Sequence, residues 1–448
     1  MLTNMKLNSL FRKNVLTFML LSLIVILLLG CSGQSSSTGN TEISFAVFGS
    51  AEEYQAYQDI VAAFNEVHPE IGVQIQYVPE DDVYRERLAT QFSGGQPPDV
   101  MLVDYRHYSV FAEQGALEAV GPYLDKSDLI KAADFYEQPM NAFTYKDQLW
   151  CIPQNISSLV VYYNKDLFDQ AGVPYPSNDW TWDDFLNAAR TLTMDVDGDG
   201  TIDQYGASID PKLIRMAPFV WQNGGELVDN REQPTQLTLD APSTKEAFQW
   251  FVNLQVSEHV VPDAVAESAI PGENRFLNGT LGMFFNSRRA VPIFRTIQSF
   301  QWDVAPMPVG KQPATILHSD GFCMAQDSEH KDEAWTFIEY VNSVEGQTEL
   351  SKTGRIVPSV IAVAESPAFL DATKSPANNR AYIDTAATIY PVPVIPGWSA
   401  IEAAANREVE RAFYGQTSVD EAIQAADQIT KEYFARDATF ELNVGEEE

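Results

Sequence analysis

The chain has 448 residues, with 29 Lys and Arg against 62 Asp and Glu and a formal net charge of −33. A field of that sign repels nucleic acid and anionic lipid, while 45% hydrophobic and 11% aromatic residues exclude a disordered stalk. At about 150 residues per domain, the length predicts two or three domains with ample core.

Lys6, Arg12 and Lys13 precede an uncharged apolar run, Val15 to Leu29, that stops at Gly30-Cys31 before "CSGQSSSTGN". The pattern predicts an export signal over residues 1–30 and a flexible linker over 31–41. The run is shorter than the roughly 20 apolar residues that span a bilayer comfortably. "LLGC" resembles a bacterial lipobox, which implies that Cys31 becomes the lipidated first residue. The body would then sit at the extracytoplasmic face of the cell membrane, held through lipid alone. No later stretch has the length and apolarity of a membrane span.

"EISFAVFG" alternates as a strand, and "AEEYQAYQDIVAAFNEVHP" spaces Tyr54, Tyr57, Val61 and Phe64 as a helix that ends at Pro69. "VQIQYVP" is again a strand, "DVYRERLATQFSGG" a helix, and "PDVMLVD" a buried strand. This β-α-β-α-β order predicts a doubly wound sheet, in which ligands collect beyond the carboxyl ends of the strands. Those ends nominate Glu52, Asp104 and Tyr105. Further strands are expected at "SLVVYYN", "GTLGMFF" and "WDVAPM", and helices at "TWDDFLNAARTL" and "SVDEAIQAADQITKEYF". Thr181 with Asp184, and Ser418 with Glu421, stand at the spacing of helix-capping pairs. Cys151 and Cys323 sit in apolar contexts, "LWCIP" and "DGFCMA". An even pair in an exported chain permits one disulfide, and a buried thiol at each position fits those contexts as well.

"DVDGDGTIDQYG" has the form of a calcium loop. Side-chain ligands would come from Asp195, Asp197, Asp199 and Asp203 and a backbone carbonyl from Thr201, with Gly200 making the turn. Four carboxylates in nine residues repel one another unless a cation neutralises them. The twelfth place, where a sensor puts a bidentate Glu, is Gly206, and "YGASIDPKLI" reads as a short strand rather than an exiting helix. The expectation is a structural Ca2+ with no sensor role, against the alternative of an Asp/Gly turn that binds nothing. No other cofactor is expected.

The five histidines are dispersed, and the sequence contains no zinc-protease, nucleophile-elbow or phosphate-loop pattern. Carboxylate pairs are expected by chance at this acid content, so no enzyme is predicted.

Several passages together resemble the extracellular solute-binding proteins of ABC importers, in the carbohydrate-binding branch that includes maltose-binding protein. They are "VAAFNEVHPEIGVQIQYVP", "GGQPPDVMLVD", "WCIPQNISSLVVYYNKDLFDQAGV" with "WTWDDF", "WQNGGELVD", "FLNGTLGMFFNS", "WDVAPMPVG", "EAWTFIEYVNSVEGQTEL" with "GRIVPS", and "EVERAFYGQTSVDEAIQAA". They cover nearly all of the mature chain. The resemblance implies an α/β, two-lobed periplasmic-binding-protein-like fold, each lobe a doubly wound sheet flanked by helices. Lobe 1 would comprise 42–154 and 305–357, and lobe 2 would comprise 155–304 and 358–448. Hinge strands would lie near Pro153–Ser157, Val304–Pro306 and Val357–Ser359.

It further implies capture of a sugar or oligosaccharide between the lobes by a monomer that delivers it to a membrane permease, with no nucleic-acid partner. Family position nominates Gln154, Asn155, Trp221, Gln222, Asn286, Asp320 and Trp398 for the ligand. Trp221 and Trp398, in "VWQNGGE" and "IPGWSAI", are expected as stacking platforms because neither context reads as an amphipathic helix face. Trp182 and Trp335 stand at core spacing and are expected to pack. Two alternatives remain at this point: a binding lipoprotein for a non-sugar solute, and a surface glycan hydrolase or adhesin.

Overall fold

The computed structural model describes residues 40–444, and the side chains of residues 40–437. The expected signal, Cys31 and most of the linker lie outside the described residues.

The chain opens with β1 (Thr41–Phe48), α1 (Ala51–Val67), β2 (Ile71–Val78), α2 (Asp81–Ser93) and β3 (Val100–Asp104), then α3 (Tyr108–Glu113) and β4 (Leu117–Glu118). It reaches the hinge through β5 (Cys151–Pro153) and β6 (Ser157–Ser158). A second layered body follows: β7 (Val160–Asn164), α4 (Lys165–Ala171), α5 (Trp182–Leu192), β8 (Tyr205–Ser208), α6 (Leu213–Gln222), α7 (Pro242–Val256), α8 (Gly272–Asn278), β9 (Leu281–Asn286) and β10 (Trp302–Pro306). The chain returns through β11 (Thr315–His318) and β12 (Asp320–Ala325) to α9 (Lys331–Val341) and α10 (Val344–Lys352). It ends with β13 (Ile389–Tyr390), α11 (Trp398–Phe413) and α12 (Val419–Val444).

Lobe 1 is a six-stranded sheet in the order β2-β1-β3-β12-β4, with β5 also paired to β12. β1 and β3 are parallel, with Phe45 opposite Val100, and β12 runs antiparallel to β3. Lobe 2 is a four-stranded sheet in the order β8-β9-β7-β10. β8 and β9 are parallel, while β7 runs antiparallel to β9 and β10. A small sheet, β13-β11-β6, joins the hinge to the later chain. The boundary expected between 304 and 305 is corrected: β10 pairs with β7 as far as Pro306, opposite Val160, so the chain leaves lobe 2 only after that residue.

Apolar periodicity explains the layers. Phe45 of β1, Tyr57 and Phe64 of α1, Phe322 of β12 and Phe337 of α9 bury together between the lobe 1 sheet and its helices. Each fully buried Phe contributes about 1.5–3 kcal/mol of transfer free energy. In lobe 2, Trp182 stacks on Trp250 with ring centroids 4.3 Å apart, beside Phe185 and Phe219. Trp335 packs against Tyr123 in lobe 1, so both tryptophans expected to pack do so.

Local capping follows the sequence. Thr181 Oγ1 accepts from the Asp184 N–H, and the Asp184 carboxylate accepts from the Thr181 N–H. Ser418 and Glu421 cap α12 in the same reciprocal way. The helix α6 was not legible, because Pro218 lies inside it and breaks the ordinary helical signal. Cys151 and Cys323 stand opposite each other on β5 and β12 and form a buried disulfide, with Cα atoms 4.3 Å apart.

Candidate ligand cleft and its hinge

Three connections between the lobes are stitched to one another. Asn155 Nδ2 donates to the His318 carbonyl (3.1 Å) and to Ser157 Oγ (3.0 Å), and its Oδ1 accepts from the Asp320 N–H (2.9 Å). Ile156 N–H donates to the Val357 carbonyl, and Ser359 N–H to the Gln154 carbonyl. Gln347 Nε2 donates to the Gln154 carbonyl from α10. The crossovers at 153–157 and 357–359 therefore lie side by side, and the strands on either side of Ser319 make the third. The middle crossover expected at 304–306 is thus displaced to 307–319, because 304–306 is spent in the lobe 2 sheet.

The lobe 1 wall is a network of buried charge. Gly49 adopts φ +125°, and a Cβ there would strike the Glu53 carboxylate. That freedom lets Glu53 fold back over its own helix start, where Ser50 and Glu53 form a reciprocal cap. Glu53 is ion-paired with Arg355, whose Nη1 also stands 3.8 Å from Asp320. Burial, reinforced by Asp104 and Glu53 and only partly opposed by Arg355, pushes the Asp320 carboxyl up to about 7. Burial also acts to raise Asp104, but the Arg106 guanidinium overrides it and holds the carboxyl at about 2. Arg106 grips Asp104 with two bonds of 2.9 and 3.1 Å.

Arg106 also reaches across the cleft. Its Nη1 donates to Glu402 Oε1 (2.9 Å) on α11, a helix that packs on α6 and α7 of lobe 2. Beside it, His107 Nδ1 lies 2.5 Å from Ser399 Oγ. Burial pushes His107 down to about 4, so its imidazole is neutral at pH 7. On the lobe 2 side, Arg215 Nη1 donates to His318 Nε2 (2.8 Å). Burial, with Arg215 and Arg106 nearby, drives His318 well below the ordinary imidazole range.

The residues nominated from sequence divide into two groups. Asp104 and Asp320 face each other, half-buried, at the paired ends of β3 and β12, Glu52 is exposed on the first turn of α1, and Asn286 ends β9 with its Oδ1 accepting from the Ser287 N–H. The other group holds the structure together. Gln154 is buried against the Tyr57 hydroxyl, and the Asn155 amide is wholly spent on the hinge. The Tyr105 ring is buried and its hydroxyl accepts from the Val392 N–H. Gln222 accepts from Trp182 Nε1 (2.6 Å) and donates to the Ala314 carbonyl (2.7 Å), which commits both ends of its amide to packing.

Both expected platforms belong to helices, α6 for Trp221 and α11 for Trp398, which corrects the reading of their contexts. Trp221 is covered by Tyr390 and Arg231, and Trp398 is fully buried with Nε1 donating to Glu402 Oε2 (3.2 Å). Sequence reasoning missed Glu53, Arg106, His107, Arg215, His318, Arg355 and Glu402. Arg106 adjoins a strand-end acid and Arg355 lies in "GRIVPS" beside a crossover, so position alone could have drawn attention to those two.

The acidic loop lies away from this seam. It precedes β8, whereas the cleft residues follow the other end of that strand. Carboxylate oxygens of Asp195, Asp197 and Asp203 fall within 4.8 Å of one another, and Asp199 accepts from the Thr201 N–H (2.7 Å). Three converging exposed carboxylates form an all-oxygen donor set of the kind a hard divalent cation takes. The glycine at the twelfth place has a packing reason. Gly206 lies in β8 against α5, and a Cβ there would strike the Ala189 carbonyl.

With this geometry in place, the comparisons with known proteins fix the class. The family model of bacterial extracellular solute-binding proteins matches residues 49–348, and the chain belongs to that family. An ABC substrate-binding protein from Listeria monocytogenes, solved in complex with cycloalternan, superposes with a TM-score of 0.80 at 27% identity, covering 88% of this chain and 99% of that one. The mannitol-binding protein of Pseudomonas aeruginosa is 25% identical over 83% of this chain and 88% of its own length. An arabinooligosaccharide-binding protein of Halalkalibacterium halodurans is 26% identical over 48% of this chain and 46% of its own. The fold is the two-lobed α/β architecture of these importer proteins.

Proposed function

We propose that the chain captures a sugar or oligosaccharide between its lobes, tethered by a lipid on Cys31 at the outer face of the membrane, and passes it to an ABC permease. The observation that carries this reading is the seam itself: charged side chains from the strand ends of both lobes converge on a stitched three-strand hinge. Planar carboxylates and guanidinium groups suit sugar hydroxyls, which both donate and accept. The names of the relatives, which bind an oligosaccharide or a sugar alcohol, support the same solute class.

Closure follows from differential contact. A solute resting on Asp104, Asp320 and Glu52 gains partners from lobe 2 only when the lobes meet, so binding shifts the population toward the closed state. Arg106 with Glu402 is the pair that bridges the seam there. Trp398, fully buried with its Nε1 donating to Glu402, and Trp221, covered by Tyr390 and Arg231, are both packing residues, so polar side chains carry the recognition in this reading. The role is binding rather than catalysis. A structural Ca2+ at Asp195, Asp197, Asp199, Thr201 and Asp203 would neutralise crowded carboxylates far from the hinge.

A thermal-shift panel of neutral and acidic mono- to tetrasaccharides tests the reading, since a ligand at about 100 times its Kd stabilises by about 2.7 kcal/mol. Binding of amino acids or peptides with no response to any saccharide would overturn it. Cys31→Ala should release the protein from membrane fractions.

A further inference from the structure

Arg215 and Arg289 hold corresponding places on the lobe 2 wall. Arg215 lies in the first turn of α6, after the carboxyl end of β8. Arg289 lies in the turn after the carboxyl end of β9. β8 and β9 are adjacent and parallel, with Ala207 opposite Met283 and Ser208 opposite Phe284, so the two turns emerge together at the end where such sheets receive ligands. The fields of both arginines disfavour a charge on His318 at the hinge, and the Arg215 charge is disfavoured first by burial and more weakly by Arg289.

Neither guanidinium has a carboxylate within ion-pair distance among the described residues. Arg215 places Nη1 on the neutral His318 ring, and its Nε is buried with no partner. Arg289 is exposed and makes no hydrogen bond among the described residues. The contrast with its neighbour is sharp. Arg288 turns inward, donates to the Gly354 carbonyl and Asn379, and lies over the Phe369 and Tyr382 rings. Of the nearby acids, Asp104 and Glu402 both hold Arg106, while Asp210, 3.8 Å from Lys212, favours the Arg215 charge only from beyond ion-pair distance.

We propose that the solute carries an anionic group, the carboxylate of a uronate-type sugar, and that Arg215 and Arg289 receive it beside His318. The inference rests on the saccharide reading above and narrows its class. Two guanidinium groups that repel each other are both relieved by one anion, whereas a neutral hydroxyl relieves neither charge. A planar carboxylate also matches the guanidinium fork. The chain's overall negative charge disfavours a long polyanion, which points to a short solute bearing one such group.

The test is titration calorimetry on the full chain in detergent with a matched pair: an aldobiouronic disaccharide and its twin with the carboxyl reduced to the alcohol. The acidic sugar should bind at least about tenfold tighter, and the preference should weaken as ionic strength rises from about 0.01 to about 0.15 M, which shortens the screening length from about 30 to about 8 Å. Arg289→Gln should reduce the preference to less than about threefold while leaving the melting temperature unchanged. Arg215→Gln should do the same if it folds, and Arg289→Lys should retain part of it. Equal or tighter binding of the reduced twin by the wild type overturns the acidic class while leaving the saccharide reading intact. Silence toward both twins and toward every sugar of the panel overturns the saccharide reading itself.

Discussion

On the lobe 1 side of the cleft each buried cation has an acid from the same chain, Arg355 with Glu53 and Arg106 with Asp104, whereas across the seam Arg215 leans on a neutral imidazole and Arg289 on no described partner. The first wall is complete before any solute arrives. It can be rigid, and it can hold carboxylates such as Asp320 in a fixed place for donors from outside. The second wall is left with charge to satisfy, and its satisfaction is available to whatever enters. On the acidic-solute proposal, such a cleft would separate shape from selectivity, with lobe 1 presenting a preformed surface and lobe 2 discriminating.

The strongest test of that contrast is truncation on each side. Arg355→Met leaves Glu53 and Asp320 buried without their cation and should cost about 3–5 kcal/mol, read by urea unfolding. Arg289→Gln, at an exposed group without partners, should stay within about 0.5 kcal/mol of the wild type. Similar losses in the two variants would erase the distinction between the walls.

A second test uses pH. The Asp320 carboxyl stands near 7 in the fold against about 3.9 in an unfolded chain, so the folded state holds the proton more tightly. Its burial is without cost below about pH 4, and stability is lost progressively as pH rises toward 7. Asp320→Asn should therefore match the wild type near pH 4 and exceed it at pH 8 by up to a few kcal/mol, at about 1.4 kcal/mol per unit. No gap at pH 8, or a wild type that gains on the variant as pH rises, would show that Arg355 already compensates the carboxylate.

The bridge across the seam should matter less. Glu402→Gln removes one charge-assisted bond, of about 1.5–3 kcal/mol, from the closed state alone. The solute-free protein should become more open, with a larger radius of gyration in solution scattering. An unchanged radius would mean that Arg106 and Glu402 do not set the lobe equilibrium.

The smallest effect is expected far from both walls. At about 1 mM calcium, a site of the weak extracellular kind stabilises by about 0.4–1.4 kcal/mol. Asp197→Ala with Asp199→Ala should remove that calcium-dependent rise in melting temperature without altering sugar affinity. A parallel loss of affinity would tie the loop to the cleft and break the separation of the two.

The alternation of Phe45 and Val47 and the helical spacing of Tyr57, Val61 and Phe64 were sufficient to read the opening β-α-β-α-β, since burial of one face imposes a period that local residues reveal. The caps at Thr181 and Ser418 were legible for the same reason, because donor and acceptor lie three residues apart. The acidic loop could be read as an oxygen donor set from spacing alone. Local sequence does not fix the pairing of Cys151 with Cys323, because only the register of β5 on β12 brings them together. Glu53 meets Arg355 across 302 residues of chain, and Arg106 meets Glu402 across 296. No local pattern records such partners, since an arginine reads the same whether its charge is answered or not. What tertiary structure alone decided was which polar groups were spent on packing, as with Gln222, Asn155 and Tyr105, and which were left over. That division is a property of three-dimensional neighbours, and the leftover groups are the ones a solute can use.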